Sequence, residues 1–347
     1  MDKRLFGVTR NGEDVYIYTI SDGNLSADIM TRGATLVRLI HDGTDIIGGY
    51  DSVADYEADT SYQGATVGRV ANRISGAAFN IDGKIFHVDA NENGNCLHGG
   101  YSGLSSKIWD VVKYDGKSIC LSCFSPDGEC GFPGSLSVRV AFSVIDGYLA
   151  IDYAAVPDKK TPVSMTNHSY FNLNGLGGDV LRHRVQIFSD EVTEVDKALL
   201  PTGKRLQVAG TVFDLRSPRE VGESLSDDFD GYDNNYMLSG DKKKSFEVVS
   251  ASGDCLKEMR TLAAAAVVTA EKRRMEVYTD AEGIQLYTAN AMSGKPNFKG
   301  GIKRIPHGAL CLEAQLEPDS VNRGRGLIGA GETYRQTTVY SFSRIPS

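Results

Sequence analysis

Six short clusters in this 347-residue chain gather side chains that can move protons or hold polar ligands. They are Gly68 to Ile74, with Asn72 and Arg73; Leu97-His98-Gly99-Gly100; Met165 to Leu173, centred on His168; Gly231-Tyr232-Asp233-Asn234; Ile284 to Asn290, with Gln285; and Leu312-Glu313-Ala314-Gln315. A histidine of ordinary pKa, about 6.5, gives or takes a proton near neutrality. A carboxylate accepts protons and hydrogen bonds, whereas Arg and Gln offer fixed donors. Glu313 is the most informative by pattern. In an extended strand Leu310, Leu312, Ala314 and Leu316 share one face, and Cys311, Glu313 and Gln315 share the other. Glu313 then stands beside a neutral thiol and a neutral amide, with no adjacent base. Two readings stay open: a solvated Glu on an edge strand, or a proton acceptor in a cleft. His168 has the same two faces, as an imidazole bonded to backbone or as a proton donor. His98 precedes two glycines, which let backbone come close to a ligand. Arg73, Asp233 and Gln285 are weak signals singly, because such groups are common in plain surface pairs.

The elements that must position these residues are strands. Leu136, Val138, Val140 and Phe142 alternate with Ser137, Arg139, Ala141 and Ser143, a period of two with one buried face. Similar runs occupy Val15–Ile20, Leu149–Val156, Val185–Phe188, Met275–Thr279, Ile284–Asn290, Leu310–Leu316 and Thr337–Phe342. Asp82-Gly83, Asp115-Gly116, Asp127-Gly128 and Asp146-Gly147 are turn signals between them. Leu256 to Ala270 mixes an alanine run of high helix propensity with Val267-Val268-Thr269, and is read as mostly strand. The chain contains 38 glycines, 16 tyrosines and 13 phenylalanines, which suits many turns between strands. The expectation is an all-β fold, a large antiparallel sandwich, in one domain over residues 1–347. No repeat or linker divides it.

Charge and cysteine usage narrow the function classes. A net charge of −8 argues against a nucleic-acid partner, which needs a basic face. Lys242-Lys243-Lys244 and Lys272-Arg273-Arg274 read as solvated hairpin ends. The six cysteines are too sparse for a disulfide scaffold. Cys120-x-x-Cys123 lacks a second ligand pair and reads as buried thiols in a strand rather than a zinc site. No signal-peptide core and no membrane-length apolar run is evident. A soluble cytoplasmic protein with no membrane partner is the default expectation.

In the chain's order, Gly68-Arg69-x-Ala71-Asn72-Arg73-Ile74, Leu97-His98-Gly99-Gly100, Gly131-Phe132-Pro133-Gly134, Thr166-Asn167-His168-x-Tyr170-Phe171-Asn172-Leu173, Gly231-x-Asp233 and Leu312-Glu313 resemble the galactose mutarotase (aldose 1-epimerase) family. The resemblance extends from about Gly33 to Tyr340. It implies a very large antiparallel β-sandwich with a sugar in a shallow cleft. It also implies roles: Glu313 as general base, His168 as general acid, and Asn72, Arg73, His98, Asp233 and Gln285 around the sugar. The reaction takes a proton from the C1 hydroxyl and gives one to the ring oxygen, so one acid and one base suffice. Glu313 as an anion with a protonated His168 would make both ready near neutral pH. No metal or other cofactor is implied, and the expected partner is a small-molecule aldose, with the protein a monomer or homodimer. Tyr170 or Tyr287 could offer an aromatic face to the ring.

Two departures stand out. The family's usual Asp-His is Asp233-Asn234 here, and the stretch from Gly240 to Ala270 looks long, as an extended hairpin at the cleft rim would be. Three other readings compete. A hexose-6-phosphate 1-epimerase would want extra cations at the cleft, where the motif offers only Arg69 and Arg73. A non-catalytic sugar-binding protein would be expected to lack His168 or Glu313. A glycosidase would need two cleft carboxylates, and Asp233 is the only obvious extra.

Overall fold

The alternation at Leu136, Val138, Val140 and Phe142 is realised in a strand, Leu136–Ile145, whose four apolar side chains enter the main core. It turns at Asp146-Gly147 into Tyr148–Pro157. Both turn residues have positive φ, 43° and 81°, as a tight hairpin requires. Asp82-Gly83 does the same between Ala78–Ile81 and Lys84–His87. The computed structural model describes residues 3–345. Among these residues the one α-helix is Val53–Ala58, capped by Ser52, whose side chain accepts from the Asp55 amide.

Three antiparallel sheets dominate. A ten-stranded sheet runs from Asp110–Tyr114 through Ser118–Ser125, Leu136–Ile145, Tyr148–Pro157, Tyr334–Arg344, Arg273–Thr279 and Lys257–Thr269 to Arg184–Ile187 and Arg219–Glu220. A five-stranded sheet holds the N-terminal strands from Lys3–Val8 to Thr44–Asp45. A six-stranded sheet has the order Tyr170–Phe171, Leu310–Gln315, Gly283–Tyr287, Asp233–Met237, Glu191–Val195, Pro201–Gln207. Its inward side chains, including Leu310, Leu312, Ile284, Leu286, Tyr236 and Val192, meet Ile151, Tyr153, Val277 and Tyr340 of the large sheet in one core. The two sheets form the expected sandwich. The outward face of the six-stranded sheet carries the polar residues.

The segment from Leu256 to Ala270 is strand over Lys257–Thr269: continuous burial of Ala264 to Val268 and pairing on both edges outweigh the helix propensity of its alanines. It pairs with Lys243–Val249 as a long hairpin. The hairpin does not reach the cleft rim. Phe246, Val248 and Leu262 pack on Ala150 and Val339, and Val249 and Ala251 on Ala141 and Ala154, on the outer face of the ten-stranded sheet. Cys120 belongs to the same contact and forms a disulfide with Cys255, so it is not the free buried thiol expected of Cys120-x-x-Cys123. The pairing partner lies 135 residues away in sequence, where spacing carries no signal. Arg273 also departs from expectation. It is buried, donating to the Leu173 and His41 carbonyls and to Thr44, and so joins the large sheet to the N-terminal one.

Candidate active site

Strand register assembles the first part of the site. Gln285 lies directly opposite Glu313, and Asn235 opposite Gln285, so three neighbouring strands present these side chains on one face. Asp233 is two residues before Asn235 on that face, and its carboxylate accepts from Gln285 Nε2 at 2.7 Å. The Leu310–Gln315 strand is interior to its sheet and Glu313 is 2% exposed, which removes the reading of a solvated edge residue.

His168 arrives from the edge of the sheet, just before the strand Tyr170–Phe171 that flanks Leu310–Gln315. Its backbone is clamped between Gly64 and Ala65, which it bonds through its carbonyl and amide. Tyr170, two residues on, pairs with Cys311. The ring is thereby set with Nε2 3.7 Å from Glu313 Oε1 and Nδ1 3.6 Å from the Cys311 thiol. His98 comes from a third element. The Asn72 amide donates to its Nδ1 at 3.1 Å, and its own amide donates to the Asn72 carbonyl. Asn72 and His98 both take left-handed backbone, φ 61° and 52°. For histidine this costs about 1–3 kcal/mol, a strain typical of functional positions. Arg73 follows Asn72 and forks onto Glu92, with contacts of 2.7 and 3.1 Å, leaving Nη1 without a partner among the described residues. The seven candidate site residues therefore cluster at the outward face of the six-stranded sheet.

Some expectations change in detail. Gly99 serves the fold, not a ligand: a Cβ there would fall 1.9 Å from the Gly68 carbonyl oxygen. Arg69 is buried and donates to Ser125 and to the Pro126 and Pro133 carbonyls, away from any ligand. Asn234, the departure from Asp-His, accepts from the Asp233 amide at 3.2 Å and so steadies that residue's backbone. Tyr170 stacks on the His168 ring, 5.0 Å between centroids, and is buried behind it. Two groups escaped the sequence reading. Tyr62 packs on both histidines, 4.7 Å from His98 and 6.2 Å from His168, and Glu92 anchors Arg73. Tyr62 lies in no patterned run, and Glu92 sits in an ordinary loop.

Burial sets the charge states. It pushes Glu313 well above the usual carboxylate range, with the Asp233 charge adding to the effect and Arg73 opposing it. It draws His168 down to about 4 and His98 well below 6.5. Burial thus favours a neutral pair over the anionic Glu and protonated His expected from reference values. Both arrangements hold the same single proton. His98, neutral with Nδ1 accepting, carries its hydrogen on Nε2. The ligating atoms of His98, His168 and Glu313 lie within 4.8 Å of one another, a spacing that could hold a metal ion. The Asn72 amide opposes that use, because a metal on His98 Nε2 would need Nδ1 to carry the hydrogen. Glu313 Oε2 and Gln285 Oε1 are buried without partners. Two unmatched acceptors side by side fit a ligand that brings hydroxyl donors. A cavity of about 960 Å³ along Asp190, Arg205, Met237 and Arg325 includes neither Glu313 nor His168. Glu313 and His168 sit instead on the sheet face, with the Tyr62 ring against His168.

The family model for aldose 1-epimerase matches residues 16–341. The chain belongs to the aldose 1-epimerase family. It is 37% identical to the galactose mutarotase of Pongo abelii, over 98% of each chain, and 32% identical to the aldose 1-epimerase of Escherichia coli K12, over 96% of each. The structure superposes on that of an aldose epimerase homologue from C. elegans with a TM-score of 0.83 and 28% identity, covering 95% of this chain and 99% of the other. As a family member the protein is an isomerase on the mutarotase-like sandwich. Among the described residues no helix is long and apolar enough to cross a membrane.

Proposed function

We propose that the protein interconverts the α and β anomers of a free aldohexose, D-galactose or D-glucose among them, by opening and reclosing the ring between Glu313 and His168. The observation that carries this reading is the buried pair itself: a carboxylate and an imidazole 3.7 Å apart, beside unmatched acceptors on Glu313 and Gln285. A sugar entering the cleft supplies hydroxyl donors to those acceptors. They favour the ionised carboxylate and move the pair's one proton to His168. Glu313 then takes the proton from the C1 hydroxyl, the C1–ring oxygen bond breaks, and His168 Nε2 gives its proton to the ring oxygen. The open-chain aldehyde turns about C1–C2 and presents its other face. On reclosure His168 recovers the proton from that hydroxyl, and Glu313 returns its own to the new C1 oxygen. Each group ends as it began.

The remaining residues hold the ring. His98 donates from Nε2, Arg73 from Nη1, and Asp233 accepts, with Gln285 and the Asn72 amide fixing their partners. A neutral sugar is favoured over a 6-phosphate in this cleft, since Arg69 is bound to backbone carbonyls and Arg73 to Glu92. Exchange NMR of the C1 proton at anomeric equilibrium tests the roles. Enzyme-driven α/β exchange is expected in the wild type and a loss of about 10²–10⁴-fold in Glu313→Gln and in His168→Asn, the usual scale for a lost acid or base. Wild-type exchange in either folded variant removes that residue's role.

A further inference from the structure

A second cavity, of about 510 Å³, shares the Tyr62 wall with the catalytic cleft. Its volume lies within the range of about 300–1,000 Å³ common for small-molecule sites. Glu92, Leu97 and Asn91 also line it, so it borders the partners of Arg73 and His98. Its charges are unevenly matched. Glu57 is held by the side chain of Arg10 at 3.4 Å, Asp59 by the Tyr50 hydroxyl at 2.8 Å and Arg304 at 3.6 Å, and Glu92 by Arg73 at 2.7 Å. Each acid that lines the cavity thus has its own partner. Arg32, which also lines it, is half-buried and makes no side-chain hydrogen bond or ion pair among the described residues.

A half-buried guanidinium without a partner is costly, because it loses hydration and gains no paired charge. Burial lowers its pKa, with Glu57 and Asp59 opposing at longer range, yet guanidinium remains charged at any physiological pH. Its planar donors match carboxylate and phosphate oxygens. Tyr62 supplies a neighbouring donor, since its oxygen accepts from Asn91 Nδ2 and its hydrogen is uncommitted. The hydroxyls of Thr60 and Ser105 lie on the same lining.

We propose that this cavity binds the oxyanion of a small hydroxylated molecule, a sugar phosphate or a sugar acid, through Arg32, with Tyr62 and the nearby hydroxyls taking its polar groups. The ligand sits next to the catalytic cleft, separated from His98 and His168 by the Tyr62 ring. This assignment is independent of which neutral sugar is turned over.

Isothermal titration of the full chain tests it, with glucose 6-phosphate, glucuronate, inorganic phosphate and neutral glucose as probes, in the wild type and in Arg32→Met. At least one of the two sugar anions is expected to bind the wild type tenfold or more tightly than glucose, and Arg32→Met to lose that advantage. Galactose epimerisation by Arg32→Met stays within about twofold of wild type, which shows that the variant is folded. Arg32-dependent binding of inorganic phosphate alone supports the same site and assigns recognition to the anion. Binding of neither sugar anion above glucose, or equal binding in Arg32→Met, overturns the proposal. Binding is read without turnover, so its failure is distinct from failure of the epimerase reading.

Discussion

Glu313 and His168 face each other across 3.7 Å with little water around either, and that burial governs how both titrate. In the proposed mechanism they act as one unit that carries a single proton. A second proton must enter on the acid side, and burial holds His168 at about 4. The fall of kcat/KM at low pH is therefore expected near pH 4, well below the titration of a free imidazole. A pH–rate profile whose acid limb lies between about 6 and 7 contradicts this. The raised pKa of Glu313 has a consequence for stability. The folded state holds that proton more tightly than the unfolded chain, so stability falls as pH rises from the unfolded value of 4.5 through the folded one. Glu313→Gln removes the penalty. Its melting temperature should exceed wild type by an amount that grows between about pH 4 and pH 8, on the order of 1–3 °C at the upper end. An unchanged or lower value at pH 8 would show that the folded protein does not hold the Glu313 proton more tightly than the unfolded chain does.

Strands translate those residue properties into geometry, and here the sequence was unevenly legible. The alternation around Glu313 correctly placed it on the polar face of a strand, because side chains alternate strictly. It could not say which strand would lie alongside, since pairing of Gln285 with Glu313 is a matter of register between distant segments. The roles given to Asn72, Arg73, His98 and Asp233 came from family resemblance, because Asp233 is placed by register with a distant strand and Asn72 and His98 sit in left-handed backbone that no periodicity announces. Tyr62 was missed for the same reason. The hairpin of Lys243–Val249 and Lys257–Thr269 was legible as a hairpin but misplaced, because only tertiary packing decides which face it covers. It lies on the face of the large sheet away from the cleft, stapled by Cys120 and Cys255. Cys120→Ser is expected to lower unfolding free energy by about 2–4 kcal/mol and to leave epimerisation unchanged. Urea unfolding and a rate assay on the oxidised protein check both, and a loss of activity in the folded variant would tie the hairpin to the cleft.

At the scale of the whole molecule, the core joins residues from Tyr18 to Phe342. The last strand, Tyr334–Arg344, sits inside the ten-stranded sheet between Tyr148–Pro157 and Arg273–Thr279. Truncation after Thr333 would open that sheet through its middle, so the shortened chain is expected to show no cooperative unfolding by circular dichroism. The Tyr340 hydroxyl on this strand also donates to the Leu312 carbonyl, one residue before Glu313. The core therefore supports the strand that carries Glu313. Composition and strand pattern were enough for a large β protein. The sandwich with a cleft on one face was implied by the family resemblance, and which strands form each sheet depended on the long-range pairings.

Polarimetry on freshly dissolved α-D-galactose tests the central claim most directly, with wild type and Glu313→Gln compared at equal concentration. Wild type should speed the approach to the same final rotation, and Glu313→Gln, shown to be folded, should fall back toward the uncatalysed rate. A wild-type protein that leaves the rates of galactose and of glucose at the uncatalysed value, or a Glu313→Gln variant as fast as wild type, would contradict the account.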